Sequence, residues 1–246
     1  MKTDKILIIV AMGIEAKPIV KQLGLTELVP HPLDEDLPTR VFHEKINNKD
    51  IYLVQSGKCK KHELSRVGTQ PASILAWEAI KELNPDLLIN AGTAGGYRSK
   101  GAEIGDVYLC NEFKYHHRLM APITNFVPYG VGHHHACEVS QFLAGLTIKK
   151  GTVSTGDSIT CSKEENLQIF ENNATLKDME AAAIADVAFI KNVPFTAFKA
   201  ISDIVDINDS TLEQFNENYK AATSNLAKEL ILFLNNLTEN PVIYNH

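Results

Sequence analysis

The chain has 246 residues, of which 44% are apolar and 22% charged, and its formal net charge is −6. The apolar content excludes a disordered chain and is enough for a large core. The acidic balance argues against nucleic acid as the main partner, since such proteins carry basic patches for phosphates. The densest basic run, Lys58, Lys60, Lys61 and Arg66, is short and reads as a solvated face. Cys59, Cys110, Cys137 and Cys161 lie far apart with no metal-type spacing, which points to reduced thiols in a cytoplasmic protein.

In chain order, KILIIVA (5–11) is an apolar run short enough for a doubly covered strand. Glu15 interrupts it and no small-residue cleavage site follows, so it reads as a strand and not as a signal peptide. Helical spacing follows through Ala16, Ile19, Val20 and Leu23. IYLVQ (51–55) is a second strand, 72–83 a helix stopped by Pro85, and DLLINA (86–91) and DVYLC (106–110) are strands. A further strand lies around 147–154, a helix over 179–190, a strand over 193–201 and a long closing helix over 212–237. No stretch is long enough to cross a bilayer. Strands alternating with helices, without a linker, predict a single α/β domain: three layers, α/β/α, around a mixed, largely parallel sheet.

In such sheets ligands sit at the carboxyl ends of the strands. Four apolar strands run into polar or glycine-rich motifs there: MGIE after the first, GTAGG (92–96), STGDS (154–158) and SDIVD (202–206). Each is weak alone. GTAGG lacks the spacing of a Walker loop or of GxGxxG and reads equally as a strand-to-loop turn. Asp203 reads as a turn or cap residue, or as a carboxyl exchanging a proton with a bound base. Glu180 reads as a charge favouring a helix N-terminus, which would keep it ionised and able to accept both hydrogens of a vicinal diol. Glu15 reads as an exposed helix-start glutamate or as a general base for water. Three consecutive histidines, His133 to His135, have no evident partner ligands and read as an exposed loop.

Together these motifs resemble one family. MGIEAKP, INAGTAGG, STGDS, KDMEAAAIA and KAISDIVD occur in the order and spacing of the 5′-methylthioadenosine/S-adenosylhomocysteine nucleosidases of the nucleoside phosphorylase superfamily. LNPDLLINAGTAGG, KGAEIGDVYL, ATLKDMEAAAIA and FKAISDIVD are similar to the plant-type branch. The resemblance implies that Asp203 protonates N7 of an adenine leaving group, with Ser202 supporting it. It also implies that Glu15 activates water with help from Thr93, that Glu180 holds the ribose diol and that Met179 packs against the sugar. Ile159 would lie on the base and the Thr160 backbone at its edge. Met12 and Leu212 would line a 5′-alkylthio pocket, together with the 120–129 segment (Met120, Ile123, Phe126, Val127, Pro128) contributed across a homodimer interface. Lys199 stands where bacterial nucleosidases carry arginine, as in the plant-type branch. No metal or organic cofactor is implied, and neither nucleic acid nor membrane is a partner. Two alternatives stay open: a phosphorylase or hydrolase of another nucleoside such as futalosine, and a nucleoside-binding protein without catalysis.

Overall fold

The computed structural model describes residues 3–118, 124–207 and 209–239. Among these residues ten strands and six α-helices follow in chain order: β1 (Lys5–Val10), α1 (Gly13–Leu23), β2 (Thr26–Glu27), β3 (Arg40–Ile46), β4 (Lys49–Gln55), α2 (Thr69–Leu83), β5 (Leu87–Gly96), β6 (Val107–Tyr115), α3 (Phe126–Val131), β7 (His134–His135), β8 (Lys149–Thr155), α4 (Lys163–Glu171), β9 (Leu176–Asp178), α5 (Ala181–Lys191), β10 (Phe195–Ile204) and α6 (Thr211–Glu239).

β1 shows why the sheet is covered on both sides. Its side chains alternate across the pleat. Ile6, Ile8 and Val10 pack with Ala16 and Ile19 of α1 and Leu226, Leu230 and Phe233 of α6. Leu7 and Ile9 pack with Leu75, Ala76 and Ala79 of α2 and Ala182 and Ile184 of α5. A strand buried on both faces is apolar throughout, which is the pattern read from its sequence.

The sheet is mixed. β1 pairs in parallel with β4 and β5, and β5 pairs in parallel with β10. The second half of the sheet closes on itself, because β10 bonds to both β5 and β6 while β8 and β9 complete the path back to β5. Closure leaves these five strands without a free edge there. It also brings the carboxyl ends of β1, β5 and β10 side by side, where the sequence motifs lie.

Three elements differ from the sequence expectation. β5 does not stop at Ala91; it continues through GTAGG to Gly96, so those glycines are strand residues and not a turn. β10 runs through Ile204, so Asp203 lies inside the strand and not after it. His134 and His135 form β7 against β6, so the histidine run is not simply a loop. Met120 and Ile123 of the expected 5′-pocket segment lie outside the described residues. No described helix is long and apolar enough to cross a membrane.

Candidate active site

One open cavity of about 230 Å³ sits at the carboxyl ends of β1, β5 and β10. Met12, Glu15, Thr93, Ile159, Met179, Glu180, Ser202, Asp203 and Leu212 all line it. Of the residues singled out from sequence, Thr160 and Lys199 do not. Thr160 is exposed where the chain turns outward after Ile159. Lys199 lies beneath the cavity, 1% exposed, with its Nζ 2.7 Å from Asp178 Oδ2.

Glu15 is in the first turn of α1, where a glutamate suits the helix dipole. It is not the exposed residue that this position allows: it is 2% exposed. Its Oε2 accepts the Met12 N–H at 3.0 Å, closing the helix start. Its Oε1 accepts the Thr93 N–H at 2.7 Å and the Thr93 hydroxyl at 2.8 Å. Burial raises its pKa, while these Thr93 donors and the Lys199 ammonium favour the carboxylate.

Asp203 owes its position to a β-bulge. Along β10, Ile201 stands opposite Ala94 and Asp203 opposite Gly95, so Ser202 is an extra residue in the strand. Neighbouring strand residues normally face opposite sides of a sheet; a bulge re-aims them. Here Ser202 and Asp203 both line the cavity, and the Ser202 hydroxyl donates to Asp203 Oδ1 at 2.7 Å. Burial raises the pKa of Asp203, opposed by Ser202 and Lys177.

The glycines of β5 make room for both carboxylates. A Cβ on Gly92 would lie 3.1 Å from Glu15 Oε1, and one on Gly95 would lie 2.9 Å from Asp203 Oδ2 and 2.6 Å from Val205. Their role is close approach of side chains from α1 and β10 and not a left-handed turn.

Glu180 stands at the N-cap position of α5 without capping it through its side chain, and is buried. Its Oε1 accepts the Gly68 N–H at 3.0 Å. Burial, with the nearby Asp178 and Glu15 charges, pushes its pKa up to about 7, against Lys199 and Gly68. The helix N-terminus therefore does not keep it fully ionised, contrary to the sequence expectation, because desolvation outweighs the dipole. The true cap of α5 is Asp178, whose Oδ2 accepts the Ala181 N–H and whose Oδ1 accepts the Thr155 hydroxyl. Asp178 also holds Lys199. Burial works against the Lys199 charge, but Asp178, Glu180 and Glu15 surround it and its pKa moves upward.

Other residues of the site carried no clear sequence signal. Val67, Lys177 and Phe215 line the cavity. Lys177 Nζ donates to the Ile159 carbonyl at 2.6 Å and pins the loop after STGD across one side. Asp157 of that motif serves structure, accepting the Thr69 N–H and hydroxyl at the start of α2. The 56–68 loop, whose effect is not legible in its sequence, brings Val67 to the cavity and the Gly68 N–H to Glu180.

The shifted pKa of Glu180 makes it a cost to the fold. Below the ordinary carboxylate value of 4.5 both folded and unfolded chains hold its proton. As pH rises from there to about 7 the unfolded chain ionises first, so stability falls through that window. Above it the penalty is on the order of 3 kcal/mol. Glu180→Gln keeps an acceptor for Gly68 and carries no charge. It is expected to raise Tm at pH 8 and to match the parent near pH 4, read by calorimetry at both values. An unchanged Tm at pH 8 would count against the buried-charge account.

The fold and this carboxylate-bearing cavity define a class of protein. The sequence profile of the phosphorylase superfamily matches residues 5–235, and the chain belongs to that superfamily. Within it, the chain falls in the plant-type 5′-methylthioadenosine/S-adenosylhomocysteine nucleosidase branch. It is 40% identical over 235 residues, 94% of its length, to the 5′-methylthioadenosine nucleosidase of Arabidopsis thaliana, covering 88% of that protein. It is also 40% identical over 225 residues, 92% of its length, to a 5′-methylthioadenosine/S-adenosylhomocysteine nucleosidase of the same plant, covering 88% of it. The apo structure of Arabidopsis thaliana 5′-methylthioadenosine nucleosidase superposes with a TM-score of 0.93 at 38% identity, over 96% of each chain.

Proposed function

We propose that this protein hydrolyses the N-glycosidic bond of 5′-methylthioadenosine, and of S-adenosylhomocysteine as far as its 5′ pocket admits the longer tail, in methionine salvage. The observation that carries the reading is the meeting of four buried carboxylates on one mostly apolar cavity: Glu15, Glu180 and Asp203, with Asp178 engaged by Lys199.

The surroundings of Glu15 and Asp203 divide the chemistry between them. Glu15 accepts three hydrogen bonds and is close enough to the Lys199 ammonium to feel it, which favours its anion. Asp203 accepts one, from Ser202, and burial raises its pKa. Paired carboxylates whose environments differ in this way serve as base and acid. Asp203 then gives its proton to N7 of adenine, so that adenine leaves neutral as the C1′–N9 bond breaks. Glu15 takes a proton from the water that attacks C1′. Glu180 accepts the 2′ and 3′ hydroxyls, Met179 packs on the sugar, and charge on the ribose in the transition state is met by these carboxylates. Acid and base acting on either side of one bond is the logic of inverting glycosidases. Ile159 offers an aliphatic surface to the base, and Met12, Leu212 and Phe215 an apolar wall to the 5′ thioether.

Water is favoured over phosphate as nucleophile. Among the described residues lining the cavity the only cation is Lys177, and Lys199 beneath it is held by Asp178. A phosphate dianion would meet these carboxylates without an arginine fork to grip it. The protein incubated with methylthioadenosine in phosphate-free buffer is expected to release adenine and free 5-methylthioribose at a rate that added phosphate does not raise. Tight adenine binding without turnover would support a binding protein instead. Phosphate dependence with a ribose 1-phosphate product would support a phosphorylase, and faster turnover of futalosine a different hydrolase.

We further infer that the chain works as a homodimer in the cytoplasm. Ile74 and Trp77 of α2 and Phe126, Val127 and Tyr129 of α3 are all 45% exposed or more. Ile74 borders the hollows on either side of α2, one reaching Trp77 and Val187, the other Tyr115 and Arg118. An exposed apolar surface of this kind suits a second copy. The four cysteines are free, in keeping with a reducing compartment. Sedimentation showing only monomer at micromolar concentration would overturn the dimer.

A further inference from the structure

The histidine run on β7 has a partner that the sequence does not reveal. His134 turns inward, where its Nε2 lies 2.8 Å from Asp186 Oδ1 on α5 and its ring packs 5.3 Å from Phe189. Side chains alternate along an extended chain, so an inward His134 sends His133 and His135 together to the other side. Their ring centroids are 4.4 Å apart. Glu112 stands directly opposite His135 in the pairing of β6 with β7. Its Oε2 is 3.0 Å from His133 Nε2. One ligand atom from each of the three side chains lies within 4.8 Å of the others.

We propose that Glu112, His133 and His135 form a binding site for a zinc-type divalent ion, separate from the active site. Two imidazoles and one carboxylate are a donor set that borderline transition metals prefer over Mg²⁺ or Ca²⁺. Tetrahedral bonds of about 2.0–2.1 Å place ligand atoms about 3.4 Å apart, so small side-chain rotations close the set, and water takes the fourth position. The His134–Asp186 pair holds the strand that presents the two ligands, as supporting contacts do in metal sites. Lys114 competes: its Nζ lies 2.8 Å from Glu112 Oε2. It also donates to the Asn172 carbonyl at 3.1 Å, which remains available when the metal displaces it from Glu112. None of the three ligands lines the active-site cavity. The ion clips β7 to β6 and acts on stability, not on the glycosidic bond.

The test is a Zn²⁺ titration of the full chain in chelator-free buffer by isothermal titration calorimetry, with Tm followed in parallel. One ion per chain and a rise in Tm are expected. His135→Ala and Glu112→Gln should each weaken binding at least tenfold and remove the rise in Tm, while Lys114→Gln should tighten binding several-fold. The ligands are partly exposed side chains, and circular dichroism with metal-free adenine release will confirm that the variants fold. Absence of a one-equivalent binding event overturns the proposal. So does parental affinity in either folded ligand variant, which would assign the ion to other groups such as the cysteine thiols.

Discussion

Asp203→Asn is expected to lower kcat for adenine release by about 10²–10⁴-fold, the usual contribution of a proton-transfer group, while adenine and substrate still bind. Asparagine has nearly the same shape. Its carbonyl oxygen can keep the 2.7 Å bond from the Ser202 hydroxyl, and its amide can donate toward a base nitrogen. What it lacks is a transferable proton, so adenine would have to leave as an anion. The substitution also removes a buried carboxyl whose pKa burial has raised, so the fold should not suffer. The pH profile adds a second readout. Asp203 acts in its protonated form, so the parent's kcat falls as pH rises through its pKa, and the variant's residual rate should not. A variant with kcat within threefold of the parent would remove Asp203 from the role of acid.

Glu15→Gln is expected to lower kcat by a comparable factor, about 10²–10⁴-fold, with a loss of stability that Asp203→Asn does not share. Every hydrogen bond made by Glu15 is accepted: two from Thr93 and one from Met12. A glutamine amide can satisfy one side of that set, and its NH₂ then faces a donor on the other. If the amide faces Met12, the first turn of α1 loses a cap, typically worth about 1 kcal/mol. Lys199 also loses one of the anions that keep it charged. Two measurements separate chemistry from folding. Thermal unfolding gives the stability loss, and the acid limb of the kcat profile tests the base. Glu15 works as the carboxylate, so kcat of the parent falls as pH drops, whereas the variant's residual kcat should be flat there. An intact acid limb in the variant would exclude Glu15 as the base.

These two side chains also show how far the sequence could be read. Glu15 was legible as a candidate because it follows an apolar strand, and Asp203 because it ends another. That they face one cavity depended on β5 lying between β1 and β10, which no local pattern specifies. The glycines of GTAGG were legible as a feature and not as a function. They look like a turn because glycine is common in turns, yet they sit in extended strand. The small size of Gly92 serves Glu15, 77 positions away along the chain, and that of Gly95 serves Asp203, 108 positions away. The bulge at Ser202 left no sequence signal, since register is a property of two strands. At Lys199, a buried lysine and a pocket lysine look alike in a sequence. Burial against Asp178 decided for the first.

By itself, the sequence determined the class of fold, since doubly apolar strands alternating with helices leave few other architectures. Through its linked motifs it also determined the family and which carboxylates to watch. Tertiary structure decided the rest: which of two environments each carboxylate occupies, that Glu180 is buried enough to hold its proton near neutrality, and that Glu112 meets two histidines across a strand pair. The physical reason is the same in each case. Proton affinity and ligand geometry depend on desolvation and on distances of a few ångströms between residues far apart in the chain, and only the packed fold sets these.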